Sequence, residues 1–159
     1  MVRVLAWEGS GGPTVAHLPH RPRNVYMNPG FAKMRRILLV EDNADNADLV
    51  IDLLGDELEV EWFADPLLAL RRLQNAGGSV PDLLLLDISL PGMDGITLLR
   101  EIRHSVAGAT LPAIALTAHA MKNHRAELLA AGFSEYLSKP ITNENLFHTT
   151  IQRFLPVTA

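Results

Sequence analysis

The chain has 159 residues, 48% of them apolar and 20% charged, which is typical of a soluble globular domain that can bury a core. It contains no cysteine, which excludes disulfides and thiolate chemistry, and no apolar run approaches the ~20 residues of a membrane span. Residues 37–70 hold ten of the eighteen acidic residues and no Lys or Arg. This acidic balance disfavours binding to nucleic acid and favours a cation site or a basic partner. Because the first residues lack an apolar stretch long enough for a secretory signal, the expected location is the cytoplasm, with no membrane partner.

The N-terminal segment, residues 1–33, is expected to be a disordered extension, because frequent Gly and Pro interrupt any helix or strand pattern. An alternative is that translation starts at Met34 and that the preceding residues have no role. The ordered domain is predicted over residues 34–156, with residues 157–159 as a tail. No DNA-binding or effector domain is expected after it in this chain.

Strands and helices are predicted to alternate along the ordered domain. Short apolar or alternating runs predict five strands, at Arg36–Val40, Leu58–Phe63, Asp82–Asp87, Pro112–Thr117 and Glu135–Ser138. Apolar residues at helical spacing, together with capping residues, predict five helices, at Ala44–Leu54, Pro66 to about Asn75, Gly95–Val106, His119–Ala131 and from a Thr142 cap to Leu155. In the second helix, Leu67, Leu70 and Leu73 are predicted to share one face.

This alternation predicts an α/β domain with a doubly wound, five-stranded parallel sheet and helices on both faces. Five strands fit the flavodoxin-like order, 2-1-3-4-5, better than the six-stranded dinucleotide-binding order.

Polar side chains occupy the ends of four of the predicted strands. Because the carboxyl ends of parallel strands meet at one edge, these side chains are expected to lie together: Glu41, Asp42, Asp87, Thr117 and Lys139. Three neighbouring carboxylates repel one another and fit a hard divalent cation such as Mg²⁺. An aspartate in such a site can take up a phosphoryl group, whose oxygens the metal, the ammonium and the hydroxyl would compensate.

This set of residues resembles the receiver domain of two-component response regulators, from Arg35 to about Leu155. The matching residues are Glu41-Asp42, Asp87 within DISLPGMDG, Thr117-Ala118 and Lys139-Pro140. Asn43, Asn46 and the run from Leu116 to Met121 make the chain similar to receivers of hybrid histidine kinases and to stand-alone cell-cycle regulators.

The resemblance implies that Asp87 accepts a phosphoryl group from a histidine kinase or a histidine phosphotransfer protein. It also implies that Mg²⁺ is held by Asp42, Asp87 and the backbone carbonyl of Ser89. Glu41 would act directly or through a metal-bound water.

Further roles follow from the same resemblance. Thr117 and Lys139 would contact the phosphate, and Thr117 with Tyr136 would form the switch pair. Ser89 and His119, each two residues beyond a residue of the phosphate site, would tune the lifetime of the aspartyl phosphate by controlling the access of water.

The function favoured by these residues is that of a single-domain response regulator in a phosphorelay. It would depend on Mg²⁺ and would signal by contact with a downstream protein, through the fourth helix, fifth strand and fifth helix. One alternative is a receiver-like interaction module that works without phosphorylation. Another is a phosphatase with an aspartyl-phosphate intermediate, but such enzymes carry a second Asp where this chain has Ser89. Catalysis is therefore expected to be limited to the protein's own phosphorylation and dephosphorylation.

Overall fold

The computed structural model describes residues 5–7, 14–15, 34–75, 79–105, 108–118 and 122–156. Its strands are β1 (Leu5–Trp7), β2 (Thr14–Val15), β3 (Arg35–Val40), β4 (Leu58–Phe63), β5 (Leu83–Asp87), β6 (Ala113–Thr117) and β7 (Glu135–Ser138). Its helices are α1 (Ala44–Leu54), α2 (Pro66–Gln74), α3 (Gly95–Arg103), α4 (Lys122–Ala130) and α5 (Glu144–Phe154). The predicted alternation of strands and helices is confirmed.

Five of the strands form a parallel sheet in the order β4-β3-β5-β6-β7. Numbered within the domain, this is the predicted order 2-1-3-4-5. Strand β5 lies at the centre, and all five of its residues are buried. A central strand that is covered on both faces needs apolar side chains at nearly every position, which explains the uninterrupted run of leucines before Asp87.

Two short N-terminal strands extend the sheet beyond β4. Strand β1 pairs in parallel with β4, and β2 pairs antiparallel with β1. Here the structure differs from the expectation of an extension without regular elements, whereas the other residues of the segment 1–33 lie outside the described part of the chain. An edge strand offers unpaired backbone groups to any extended segment. Because such pairing needs no particular side chains, no side-chain pattern in residues 1–33 could have predicted it.

Helices cover both faces of the parallel sheet. Successive residues of β3 point to opposite faces, so that Leu39 packs in the apolar cluster with α1 and α5, and Leu38 packs in the cluster with α2, α3 and α4. Burying each leucine stabilises the fold by about 1.5–3 kcal/mol. Within the described residues, none of the helices combines the length and the apolar character that crossing a membrane requires.

The predicted apolar face of α2 is wrong at one position. Leu67 is 48% exposed, whereas Ala69 and Leu73 are buried. A spacing of three residues falls short of the 3.6-residue helical turn, so that Leu67 lies about a third of a turn away from Leu73. Ala69, four residues before Leu73, takes the inward position.

Two predicted helix boundaries also change. The cap of α5 is Asn143 rather than Thr142, and its side chain accepts a hydrogen bond from the backbone N–H of Leu146 at 2.9 Å. Both Thr and Asn can cap a helix. Asn143 is the cap because it directly precedes Glu144, the first helical residue. Helix α3 ends at Arg103, with His104 as its C-cap, rather than at the predicted Val106. The predicted start of α4 at His119 lies outside the described residues.

We expect Gly95→Ala to destabilise the protein by about 1–3 kcal/mol, because a Cβ atom on Gly95 would clash with the carbonyl oxygen of Asp87. The resulting backbone shift should also weaken the binding of divalent cations near Asp87. The matched control is Gly55→Ala, which has open space around a Cβ atom but a φ of 71°, and should cost about 1–2 kcal/mol without changing cation binding. Denaturant unfolding and Mg²⁺ titration measure both quantities, and equal cation binding in the two variants would contradict the prediction.

Candidate functional site

The predicted strand-end residues meet at one edge of the sheet. Glu41 directly follows β3, Asp87 ends β5, Thr117 ends β6 and Lys139 directly follows β7. The backbone N–H of Lys139 donates to the carbonyl oxygen of Thr117 at 2.7 Å, which extends the pairing of β6 with β7 into the site. The parallel sheet therefore positions these side chains as the sequence predicted.

An ammonium group joins the two buried carboxylates of the site. Lys139 Nζ donates to Glu41 Oε2 at 3.0 Å and to Asp87 Oδ2 at 2.8 Å. Glu41 is 0% exposed and Asp87 is 1% exposed. Since charged groups are stable in a protein interior only when they are paired and hydrogen-bonded, Lys139 is the group that allows both carboxylates to be buried.

Further hydrogen bonds hold Glu41 in place. Its Oε1 atom accepts from the backbone N–H of Asn43 at 3.2 Å and from the side-chain amide of Asn46 at 3.3 Å. Its carbonyl oxygen accepts from the indole N–H of Trp62 on the neighbouring strand β4 at 2.9 Å. Trp62 was not predicted to contact the site. Its position near a strand end was a usable signal, because a partly buried indole N–H needs a hydrogen-bond acceptor.

Two pKa shifts follow from these contacts. Burial raises the pKa of Glu41 above its ordinary value of 4.5, and the neighbouring charge of Asp87 adds to this, while Lys139 partly opposes it. For Lys139, burial acts against the charged form, but its bonds to Asp87 and Glu41 outweigh burial and raise the pKa above 10.5. Lys139 is therefore an ammonium group at neutral pH.

The acidic residues fit a metal ion. Glu41, Asp42 and Asp87 each offer a carboxylate oxygen, and these atoms all lie within 4.8 Å of one another. Asp42 is exposed, which leaves its carboxylate accessible from solvent. A set of carboxylate oxygens of which one, that of Asp42, is accessible to water fits a hard divalent cation such as Mg²⁺.

The loop after Asp87 is ordered by its own hydrogen bonds. The backbone N–H of Ser89 donates to Asp87 Oδ1 at 3.0 Å, and the Ser89 side chain is exposed. Asp94 caps α3 by accepting from the N–H of Thr97 at 2.7 Å. The participation of the Ser89 carbonyl in metal binding stays a prediction.

The predicted switch residues occupy different environments. Thr117 is buried, and its Oγ1 atom lies 3.3 Å from His124 Nε2. Tyr136 is half-buried and packs against the apolar cluster under α2, α3 and α4. His119 lies outside the described residues. The contact with His124 was not predicted, because the two residues belong to different elements seven positions apart.

Comparisons with known proteins identify the family of this chain. Residues 37–151 match the family model for the response regulator receiver domain. The chain is 40% identical over 105 residues to an uncharacterized 14.6 kDa protein of Leptolyngbya boryana, an alignment covering 66% of this chain and 79% of that one. It is 37% identical over 120 residues to the signal transduction histidine-protein kinase BarA of Escherichia coli, covering 76% of this chain but 13% of BarA.

A solved structure has the same fold. The receiver domain of the sensor histidine kinase PA1611 from Pseudomonas aeruginosa matches with a TM-score of 0.66 and 36% sequence identity. The match covers 76% of this chain and 96% of that one. The PA1611 domain was crystallised with a magnesium ion coordinated in its active-site cleft.

We expect Lys139→Met to lower the free energy of unfolding by about 3–5 kcal/mol in the absence of divalent cations, because two buried carboxylates would lose their cation. The control Arg100→Met removes an exposed cation from α3 and should change stability by less than about 0.5 kcal/mol. Denaturant unfolding in the presence of a chelator measures both, and similar small effects would contradict the role of Lys139.

We also expect Glu41 to make stability depend on pH. A raised pKa in the folded state means that the contribution of Glu41 to stability is complete below pH 4.5 and is lost as the pH rises through the folded value. The stability of the native sequence relative to Glu41→Gln should therefore fall between pH 4.5 and neutrality, measured by denaturant unfolding with a chelator present. A relative stability that rises with pH would show that Lys139 outweighs burial.

Proposed function

Because the chain belongs to the response regulator receiver family, we propose that it is a phosphorylation-controlled switch whose phosphoacceptor is Asp87. The observation that carries this proposal is the position of Asp87, buried at the end of the central strand and bonded to Lys139 beside a set of carboxylates that fits a metal ion. Both the nucleophile and the positive charge that phosphoryl transfer needs are thus in one place.

The proposed reaction moves a phosphoryl group from a histidine to Asp87. An oxygen of the Asp87 carboxylate forms a bond to phosphorus while the bond from phosphorus to the donor's imidazole nitrogen breaks, and the imidazole leaves with that electron pair. Ser89 N–H and Lys139 hold the two carboxylate oxygens before the reaction. Lys139 can then transfer a hydrogen bond to a phosphoryl oxygen as negative charge moves from the carboxylate to that group.

A divalent cation is part of the proposal. Mg²⁺ would be held by Asp42 and Asp87, with Glu41 directly or through water, and it would supply positive charge to the phosphoryl oxygens. The magnesium ion in the PA1611 receiver domain supports this assignment.

The proposed phosphoryl donor is a histidine kinase or a histidine phosphotransfer protein. Several relatives are histidine kinases, and this chain matches a small part of each. Because a histidine kinase takes its phosphoryl group from ATP, we propose that the protein works in the cytoplasm. The protein's own catalysis is proposed to be limited to its phosphorylation and dephosphorylation.

The proposed contact with a downstream protein is made by α4, β7 and α5. Glu135 on β7 accepts a hydrogen bond from Arg153 of α5 at 2.8 Å and lies 3.8 Å from Arg125 of α4, so that it connects the three elements. Leu129 and Leu146 are exposed on this side and offer apolar area to a partner.

We expect incubation with acetyl phosphate and Mg²⁺ to add one phosphoryl group, because a small-molecule donor needs only the site itself. Intact-mass spectrometry measures the adduct. Asp87→Asn, which removes the nucleophile, and a sample with a chelator should both remain unmodified. If the native sequence forms no adduct and beryllofluoride does not change the environment of Tyr136, the protein is an interaction module that works without phosphorylation.

We expect substitutions of Ser89 and His119 to change the lifetime of the aspartyl phosphate more than the affinity for Mg²⁺. The exposed Ser89 side chain lies where water must approach, so Ser89→Leu should slow the loss of the phosphoryl group by about tenfold, a barrier change of about 1.4 kcal/mol. Mass spectrometry over time gives the decay rates, and equal rates in the native and substituted proteins would refute this role.

A further inference from the structure

A hydroxyl, an imidazole and a carboxylate form a chain between β6 and α4. Thr117 Oγ1 lies 3.3 Å from His124 Nε2, and His124 Nδ1 lies 3.4 Å from Glu127 Oε2. The imidazole is largely shielded, with 22% of its side chain exposed, whereas the side chain of Glu127 is 64% exposed. His124 therefore connects the buried switch residue to the surface of α4.

The direction of the hydrogen bond between His124 and Thr117 depends on the tautomer of the imidazole. In a neutral imidazole one nitrogen carries the proton and the other accepts. A carboxylate beside Nδ1 favours the proton on that nitrogen, which leaves Nε2 as an acceptor for the hydroxyl proton of Thr117.

A threonine hydroxyl has only one proton to donate, and a phosphoryl oxygen can only accept. Thr117 therefore cannot donate to His124 and to a phosphoryl group on Asp87 at the same time. With Nε2 as the acceptor, the contact between Thr117 and His124 must break before Thr117 can donate to a phosphoryl group.

We propose that His124, oriented by Glu127, is a latch that holds the Thr117 hydroxyl in the unphosphorylated state and so sets the equilibrium of the switch. The inference rests on the proposed function, and it assigns His124 as a positioning residue that acts through Thr117. A contact that exists in one state only shifts the equilibrium towards that state by its own free energy. Loss of the latch should therefore make every ligand of the phosphorylated state bind more tightly.

The experiment measures the affinity of the intact protein for beryllofluoride, a phosphoryl mimic, by calorimetry in the presence of Mg²⁺. His124→Ala should bind it roughly two- to tenfold more tightly than the native sequence, which is the range expected for one neutral hydrogen bond. His124→Gln, whose amide can reach the position of Nε2 and accept the same proton, should restore the native affinity. The matched control is His104→Ala, which removes an exposed histidine at the end of α3 and should change nothing.

A second pair of variants tests whether His124 acts through the hydroxyl. Thr117→Val keeps the shape of the side chain and removes its proton, so that adding His124→Ala to it should have no further effect on beryllofluoride affinity. A gain that persists in the Thr117→Val background would overturn the latch, because His124 would then act through α4 alone.

The remaining outcomes separate this inference from the proposed function. If the native sequence binds beryllofluoride and His124→Ala binds it equally well, the latch is overturned and the proposed function stands. If the native sequence does not bind beryllofluoride at all, both are overturned. A gain in His124→Ala that His124→Gln reverses and Thr117→Val abolishes supports the latch.

Discussion

The hydrogen-bonded bridge from Lys139 to Glu41 and Asp87 is the interaction on which the site depends. Two carboxylates buried at the end of a parallel sheet would repel each other, and one ammonium group makes their burial possible. With Asp42 included, the site holds three carboxyl groups and one ammonium group. In the proposed function, a divalent cation would offset this excess of acidic groups.

The proposed switch would depend on a second constraint, the single proton of the Thr117 hydroxyl. Thr117 is held at a strand end by backbone pairing with β7, and its side chain contacts His124 of α4. In the proposal, the same side chain turns to a phosphoryl group on Asp87. In the proposed latch, His124 of α4 competes with a phosphoryl group on Asp87 for that proton, so that α4 would respond to chemistry at Asp87. A rigid sheet with one rotatable side chain between two acceptors has two discrete states, as a switch requires.

The predictions that were wrong concern contacts between elements. Leu67 has the residue type of a core position, but it lies about a third of a turn from Leu73, and the way α2 packs on the sheet buries the face of Leu73 and Ala69. The capping of α5 by Asn143 rather than Thr142 depends on where the chain leaves β7, since either residue could cap the helix. The pairing of Leu5–Trp7 with β4 uses backbone groups that every residue has.

The amino-acid sequence by itself determined the five strands from β3 to β7, most of the helices, the order of those strands in the sheet and the set of residues at the strand ends. It could do so because apolar periodicity is local, and because a parallel sheet brings all carboxyl ends to one edge. Only the tertiary structure decided that Lys139 pairs with Glu41 and Asp87, 98 and 52 residues away, and that His124 reaches Thr117. Such pairings depend on the relative placement of packed elements, which no local pattern encodes.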